Sequence, residues 1–340
     1  MSAPPSIDRL SGILQRFRVQ AHLHHSGMLC GISHFDASHG HGYLHVLRRG
    51  RLEVSHPHAH EVPGQLRLDE PTLLFYPRPL THRFHNPPAE GSDLTCARLD
   101  FEGGVGSPLV RALPPLVVLP LARVAGLDLA LELLFSEADR VRCGHRLLVD
   151  RLFEVVLIQL LRWLLDHPQE AGVRSGFICG MSDVRLARAL TAMHDAPGEP
   201  WTLERLAERA GMSRTAFAAA FREAVGQTPI DYLADWRMVL VQARLREGDS
   251  IKRLAAELGY ASSSGLSRAF AAKLGVSPRQ WLARLAAENQ AAAGRAGVAA
   301  AAPPSKPSVG FPQHRAQVFD EGEGAARQEV AAGRHAPDGR

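Results

Sequence analysis

WTLERLAERAGMSRTAFAAAFREAVGQTPIDYL (residues 201–233) and SIKRLAAELGYASSSGLSRAFAAKLGVSPRQWL (residues 250–282) are one unit written twice. Leu203, Leu206, Ala207, Ala210 and Gly211 recur 48 positions later as Ile251, Leu254, Ala255, Leu258 and Gly259. Past the glycine the offset becomes 49, and Ser213, Phe217, Phe221, Gly226, Pro229 and Tyr232 answer to Ser262, Leu266, Phe270, Gly275, Pro278 and Trp281. A supersecondary unit has been duplicated, with one residue more in the turn of the second copy.

Each copy opens with a short amphipathic helix, LERLAERA or IKRLAAEL, closed by a glycine that can take the left-handed conformation ending a helix and starting a sharp turn. Ser213 and Ser262 then stand where an N-cap is wanted, and the i, i+4 pairs Phe217/Phe221 and Leu266/Phe270 give each second helix one apolar stripe. This is the grammar of a helix-turn-helix, whose second helix keeps its opposite face free for a major groove. Between the copies, Pro229 to Glu247 reads as one long helix with Tyr232, Trp236, Leu240 and Ala243 on a common stripe, holding two readers at a fixed separation. With both on one side of a duplex, their contacts fall about 10 base pairs apart. Residues 200–285 carry 13 Lys and Arg against 8 Asp and Glu, a net of +5 in a chain whose total is +4, so the basic excess sits where a polyanion would bind.

The remainder divides by texture. At 340 residues the chain is long enough for two domains, and its 45% hydrophobic and 22% charged content is that of a soluble globular protein. No stretch approaches the roughly 18 apolar residues of a membrane helix, and MSAPPSIDRLSGILQRFRVQ at the start has no secretory signal, so a cytoplasmic protein with no membrane partner is expected. From Gly27 to Glu102 short alternating runs, among them Tyr43–Leu47 and Thr72–Tyr76, predict a β-barrel or sandwich. Helices follow over Leu127–Ala138 and His145–Asp166. The second is apolar around most of its circumference, which predicts packing on the barrel and against a second copy, hence a homodimer. HPQEAGVRSGFICGMS, residues 167–182, reads as a linker, and the Ala-, Gly- and Pro-rich residues 288–340 as a disordered tail. The predicted fold class is α+β multidomain: a sensor and dimerisation region over 1–166 and an all-α pair of helix-turn-helix units over 183–287.

The duplicated segment closely resembles the DNA-binding domain of the AraC/XylS family of bacterial transcription regulators. The second copy carries the more specific pattern, Leu258-Gly259-Tyr260, Ser262, Ser264, Leu266-Ser267-Arg268-Ala269-Phe270, Gly275, Ser277-Pro278 and Trp281. The resemblance implies promoter DNA and RNA polymerase as partners. It places base-edge contacts at Arg214, Thr215 and Ala218 in the first reader and at Ser263, Ser264, Ser267 and Arg268 in the second. Arg214 and Arg268 are the residues able to hold guanine bidentately. Arg222, Arg237, Lys252 and Lys273 are expected on phosphates. Ala218, Ala219 and Ala220 replace the longer polar side chains common in the family's first reader, which leaves that reader few direct contacts.

The β segment resembles a cupin. FYPRPLTHRFHN sets Pro77, Pro79, His82 and Asn86 in the order of the second cupin motif, and HGYLHVLRRGRLEV puts His41 and His45 ahead of Gly50. The wider pattern is similar to the cupin sensor of one AraC-family branch, which includes activators responding to reactive chlorine through cysteines. Twelve of the 17 histidines precede residue 86, and His45 with His82 is the pair expected to hold a divalent metal if one binds. Against a metal, the first motif lacks the tight HxH and its Glu, and HPHAH at 56–60 reads as an exposed turn. Cys30 and Cys96 fall where the resemblance implies redox-sensing thiols, which must be accessible and partly ionised. Three signals stay open: a small organic effector, a metal and an oxidant. So do two other classes, a metal-dependent cupin enzyme with a DNA-binding appendage and an architectural protein that reads no sequence.

Overall fold

The computed structural model describes residues 8–57, 59–86, 91–124 and 126–287; the expected disordered tail at 288–340, and His58 of the HPHAH run, lie outside them. Short helix α1 (Ser11–Arg16) leads into β1 (Val19–Leu29), β2 (Gly31–Phe35), β3 (Gly42–Gly50), β4 (Leu52–Ser55), β5 (Gln65–Leu68), β6 (Thr72–Tyr76), β7 (His82–Asn86) and β8 (Ser92–Phe101). Then come α2 (Pro108–Ala112), β9 (Val117–Pro120), α3 (Asp128–Ala138) and α4 (His145–Asp166).

The strands form two antiparallel sheets, ordered β1-β8-β3-β6-β9 and β2-β7-β4-β5. Strand β3 explains the layering. Side chains alternate across a strand, so Tyr43, His45 and Leu47 point between the sheets while Leu44 and Val46 point to the other side. Both sides are covered, and the first six residues of β3 are all buried. Between the sheets lie Phe35, Leu52, Val54, Tyr76, Phe84 and Cys96. On the outer side Leu44, Val46, Leu73 and Phe75 join Leu134 of α3 and Val149, Phe153 and Leu157 of α4. Asp150 of α4 is polar inside this layer because β1 needs it. The β1–β8 register shifts between Leu23 and His25, and the freed Leu23 N–H donates to Asp150 at 2.7 Å.

The segment 167–182 is more than a linker. Its second half forms helix α5 (Phe177–Ser182), with Phe177, Ile178 and Met181 buried. Gly180 reads as a helix breaker, yet a Cβ there would stand 2.7 Å from Val225 Cγ2 and 2.9 Å from Leu190 Cδ1, so its smallness permits close packing. Helices α6 (Val184–Asp195), α7 (Leu203–Ala210), α8 (Arg214–Val225), α9 (Pro229–Arg246), α10 (Ile251–Glu257) and α11 (Ser263–Leu274) follow, and residues 278–287 are helical. The N-terminal lead ties the two halves together. Arg9 donates to Met181 O (3.0 Å) and pairs with Asp166 (2.7 Å), Arg16 donates to Asp195 O (3.1 Å), and Phe17 meets Trp236 edge-on at 5.5 Å.

Candidate DNA interface and sensor core

In the first unit, Thr202 caps α7 by accepting from the Arg205 N–H, Gly211 ends the helix at φ 65°, and Ser213 caps α8 through the Ala216 N–H. In the second, Ser250 caps α10, Gly259 takes φ 74°, and Ser262 caps α11 through the Gly265 N–H. Phe217, Phe221, Leu266 and Phe270 have no solvent exposure, so each second helix is anchored by one stripe. The other face is left to solvent. Arg214, Thr215 and Arg222 of α8 are exposed and Ala218 is half-buried, while Ser263, Ser264 and Arg268 of α11 are exposed and Ser267 is half-buried. Lys252 of α10 is exposed as well.

Arg214 rests on Glu204 at 2.9 Å, both exposed, a solvent-screened pairing readily exchanged for a guanine edge. Two cations expected on phosphates are engaged within the protein. Arg237 donates through Nε to Pro197 O (2.7 Å) and through a terminal nitrogen to Glu199 O (3.0 Å), and its guanidinium lies 5.7 Å from the Tyr260 ring centre. Half-buried there, it is engaged by the protein's own backbone. Lys273 pairs with Asp235 at 2.6 Å. Sequence reasoning missed Arg279, which stands exposed at the start of the terminal helical stretch.

In the barrel, His45 and His82 do meet, with their Nε2 atoms 3.0 Å apart and both rings wholly buried. His82 Nδ1–H donates to Leu80 O at 2.7 Å, so its Nε2 is bare and accepts from His45 Nε2–H, which leaves His45 Nδ1 buried without a donor. The His82 ring is stacked between Tyr76 (4.1 Å) and Phe35 (4.7 Å). Burial lowers His82 to about 4 and holds His45 well below the ordinary imidazole range, so both are neutral. As a metal site the pair does not fit. It offers two donors that bond each other, and among the described residues no group of three or more His, Cys, Asp or Glu converges. His41 instead bonds Asp100, while His56 of the expected exposed turn is buried, donating to Pro63 O (2.6 Å) and accepting from the Tyr76 hydroxyl (2.9 Å). Only a tertiary partner distinguishes such a histidine from a turn residue.

The thiols separate in the same way. Cys30 is exposed just past β1. Cys96 is wholly buried between the sheets, and burial pushes its thiol far up, so it is not the accessible, partly ionised group that redox sensing requires. Cys96 sits opposite His25 in β1, whereas Leu29, next to Cys30, sits opposite Ser92. Five strand positions, roughly 16 Å, therefore separate the two cysteines, beyond the reach of a disulfide.

The chain thus joins a cupin-type barrel with helical cover to two helix-turn-helix units. The cupin family matches residues 8–166, and a helix-turn-helix domain family matches residues 206–284. The chain is 31% identical over 182 residues to the HTH-type transcriptional regulator AlkR of Acinetobacter baylyi, covering 52% of this chain and 58% of that protein. It is 26% identical over 259 residues to the RCS-specific HTH-type transcriptional activator RclR of Escherichia coli, covering 74% and 90%. The crystal structure of the DNA-binding domain of AdpA with a target DNA is 31% identical, covers 30% of this chain and 93% of that one, and has a TM-score of 0.29. The chain spans a little over half the length of several curated relatives it matches, AlkR among them. It carries an N-terminal cupin domain and a helix-turn-helix domain, and its relatives include proteins named AraC-like transcription regulators.

Proposed function

We propose that this chain is a sequence-specific DNA-binding transcription regulator of the cytoplasm, an activator working beside RNA polymerase, with its signal received by the N-terminal domain. The observation that carries this reading is the pair of capped helices α8 and α11, each held by one buried apolar stripe and each turning an exposed polar face outward. Those faces present serine, threonine and alanine beside single arginines, side chains short enough for base edges to approach, which supports sequence reading over a purely architectural role. A barrel whose two central imidazoles bond each other gives an enzyme reading no support.

Of the three signal chemistries, a small organic effector is best supported, because no metal-ligand cluster forms among the described residues and Cys96 lacks access. A cleft of about 430 Å³ lies between the N-terminal domain and the helices of the reader, lined by Ile13, Ala112, Phe177 and Trp236. Dimerisation is supported by apolar residues left in solvent on α3 and α4, Leu129, Leu133, Leu147 and Val155.

The test begins with selection of bound duplexes from a random pool, followed by affinity measurement on single-base variants of the selected site. Arg268→Ala is expected to cost about 1–3 kcal/mol and to relax preference at one base pair, whereas Lys252→Ala weakens every sequence alike and lowers the salt dependence. Equal losses on selected and random DNA for Arg268→Ala would refute the base-reading assignment. Footprinting with and without hypochlorite or a chelator separates the effector from the oxidant and the metal.

A further inference from the structure

The two readers touch each other directly, beside the connecting helix. The loop after α6 runs through Pro197, Gly198 and Glu199 and lies against the turn between α10 and α11. A Cβ at Gly198 would collide with the carbonyl oxygen of Glu257, and a Cβ at Gly259 would collide with the carbonyl oxygen of Gly198. Two glycines from different units thus face each other backbone to backbone, closer than any side chain allows. Gly259 is doubly fixed, because it also holds φ 74° to end the first helix of its unit. Arg237, midway along α9, fastens the contact. Its guanidinium holds the carbonyls on either side of Gly198 and lies over Tyr260, the residue after Gly259. The loop is anchored from behind by the Trp201 indole N–H, which donates to Ala196 O at 2.8 Å.

We infer that Gly198, Gly259 and Arg237 form a clasp that joins the two helix-turn-helix units into one rigid reading body, and that this clasp sets the operator spacing the protein accepts. Arg237 is then a positioning residue, acting on DNA only through the placement of α11 relative to α8. The inference rests on the proposed DNA-reading function. A reader pair hinged only at a helix could rotate to follow a displaced half-site, at the cost of the entropy needed to fix it on DNA. A clasped pair has its geometry set before binding, so it gains affinity at one spacing and loses it at the others.

The experiment uses the full chain, the selected operator, the same operator with one or two base pairs inserted between its half-sites, and an isolated half-site. For the unaltered protein, one inserted base pair is expected to lower affinity at least about 100-fold, since it turns one half-site by roughly a tenth of a helical turn and moves it along the axis. Arg237→Gln, which keeps an N–H donor but loses the fork and the charge, is expected to bind the native operator about tenfold more weakly while shrinking the insertion penalty to tenfold or less. Its salt dependence and its affinity for the isolated half-site should not change. Gly198→Ala, made separately, should show the same pattern, and thermal unfolding of each variant establishes that the domain remains folded. An unchanged insertion penalty in a folded Arg237→Gln protein overturns the clasp. So does a reduced salt slope with uniform loss on all DNA, the behaviour of a phosphate contact. Failure of the unaltered protein to prefer any sequence would instead defeat the DNA-reading function, a result visible before any variant is made.

Discussion

Three buried histidines carry a consequence for pH. His194 of α6 is stacked on Trp236 at 4.1 Å and bonded to the Tyr232 hydroxyl at 2.7 Å, and burial lowers it to about 3. His82 is lowered to about 4, and His45 goes in the same direction. Each is neutral in the folded chain, and unfolding restores the ordinary value of 6.5. Below that value the unfolded state takes up a proton that the folded state refuses. The stability these residues contribute is therefore fully present above pH 6.5 and is lost as pH falls toward 4 and then 3, by up to about 1.4 kcal/mol per pH unit for each residue. Chemical denaturation at steps from pH 7 to pH 4.5 should show this slope. His194→Gln, which keeps a polar partner for Tyr232 and cannot be protonated, should remove about one proton of it. A slope unchanged in that variant would mean that carboxylates, not His194, dominate the acid limb. The same chemistry hid His56 in the sequence: a histidine earns a buried place through partners, here Pro63 O and the Tyr76 hydroxyl, that lie 7 and 20 residues away.

At the scale of elements, the helix-turn-helix units were legible because their signals are local. A capping serine, a glycine with positive φ and an i, i+4 apolar pair all act within one or two turns, and each does what its position announced. Ser262→Ala is accordingly expected to cost about 0.5–2 kcal/mol of stability, and Phe270→Ala about 3–5 kcal/mol, read as shifts in the denaturation midpoint at constant slope. A cost for Phe270→Ala below 1 kcal/mol would mean that the stripe does not anchor α11. The strands were legible as texture, since β3 and β6 are short runs of strand-forming residues between turn signals, buried on both sides, but their sheet order depends on contacts far apart in sequence. Helix α5 was misread for a related reason. Gly176 and Gly180 look like loop punctuation until Val225 and Leu190 are seen pressing on Gly180. Arg237 is expected on a phosphate because its charge is visible in the sequence, while the carbonyls of Pro197 and Glu199 that engage it are not.

For the whole molecule, the open matter is how much of α3 and α4 is surface. Most of α4 is consumed within the chain. Val149, Phe153, Val156, Leu157, Leu160, Leu161 and Leu164 are buried against the barrel and the reader, which accounts for a helix apolar around most of its circumference without a partner. What remains outside is a smaller patch. Leu129 is 79% exposed and Leu133 51% on α3, and Leu147 is 73% and Val155 43% exposed on α4. Single exposed leucines are ordinary, but several on two adjacent helices form the sort of patch that a soluble monomer rarely leaves uncovered. If this patch is the homodimer interface, a two-fold contact places it against its own copy, so one charge inserted here appears twice in the interface and is left without a partner. Leu147→Glu should then shift sedimentation at micromolar concentration from dimer to monomer, while leaving affinity for an isolated half-site unchanged, because α8 and α11 take no part in the contact. Sedimentation as a monomer by the unaltered protein at that concentration would remove the dimer from the scheme. The operator would then be read by the two helix-turn-helix units of a single chain, with spacing fixed by the Gly198–Gly259 contact alone.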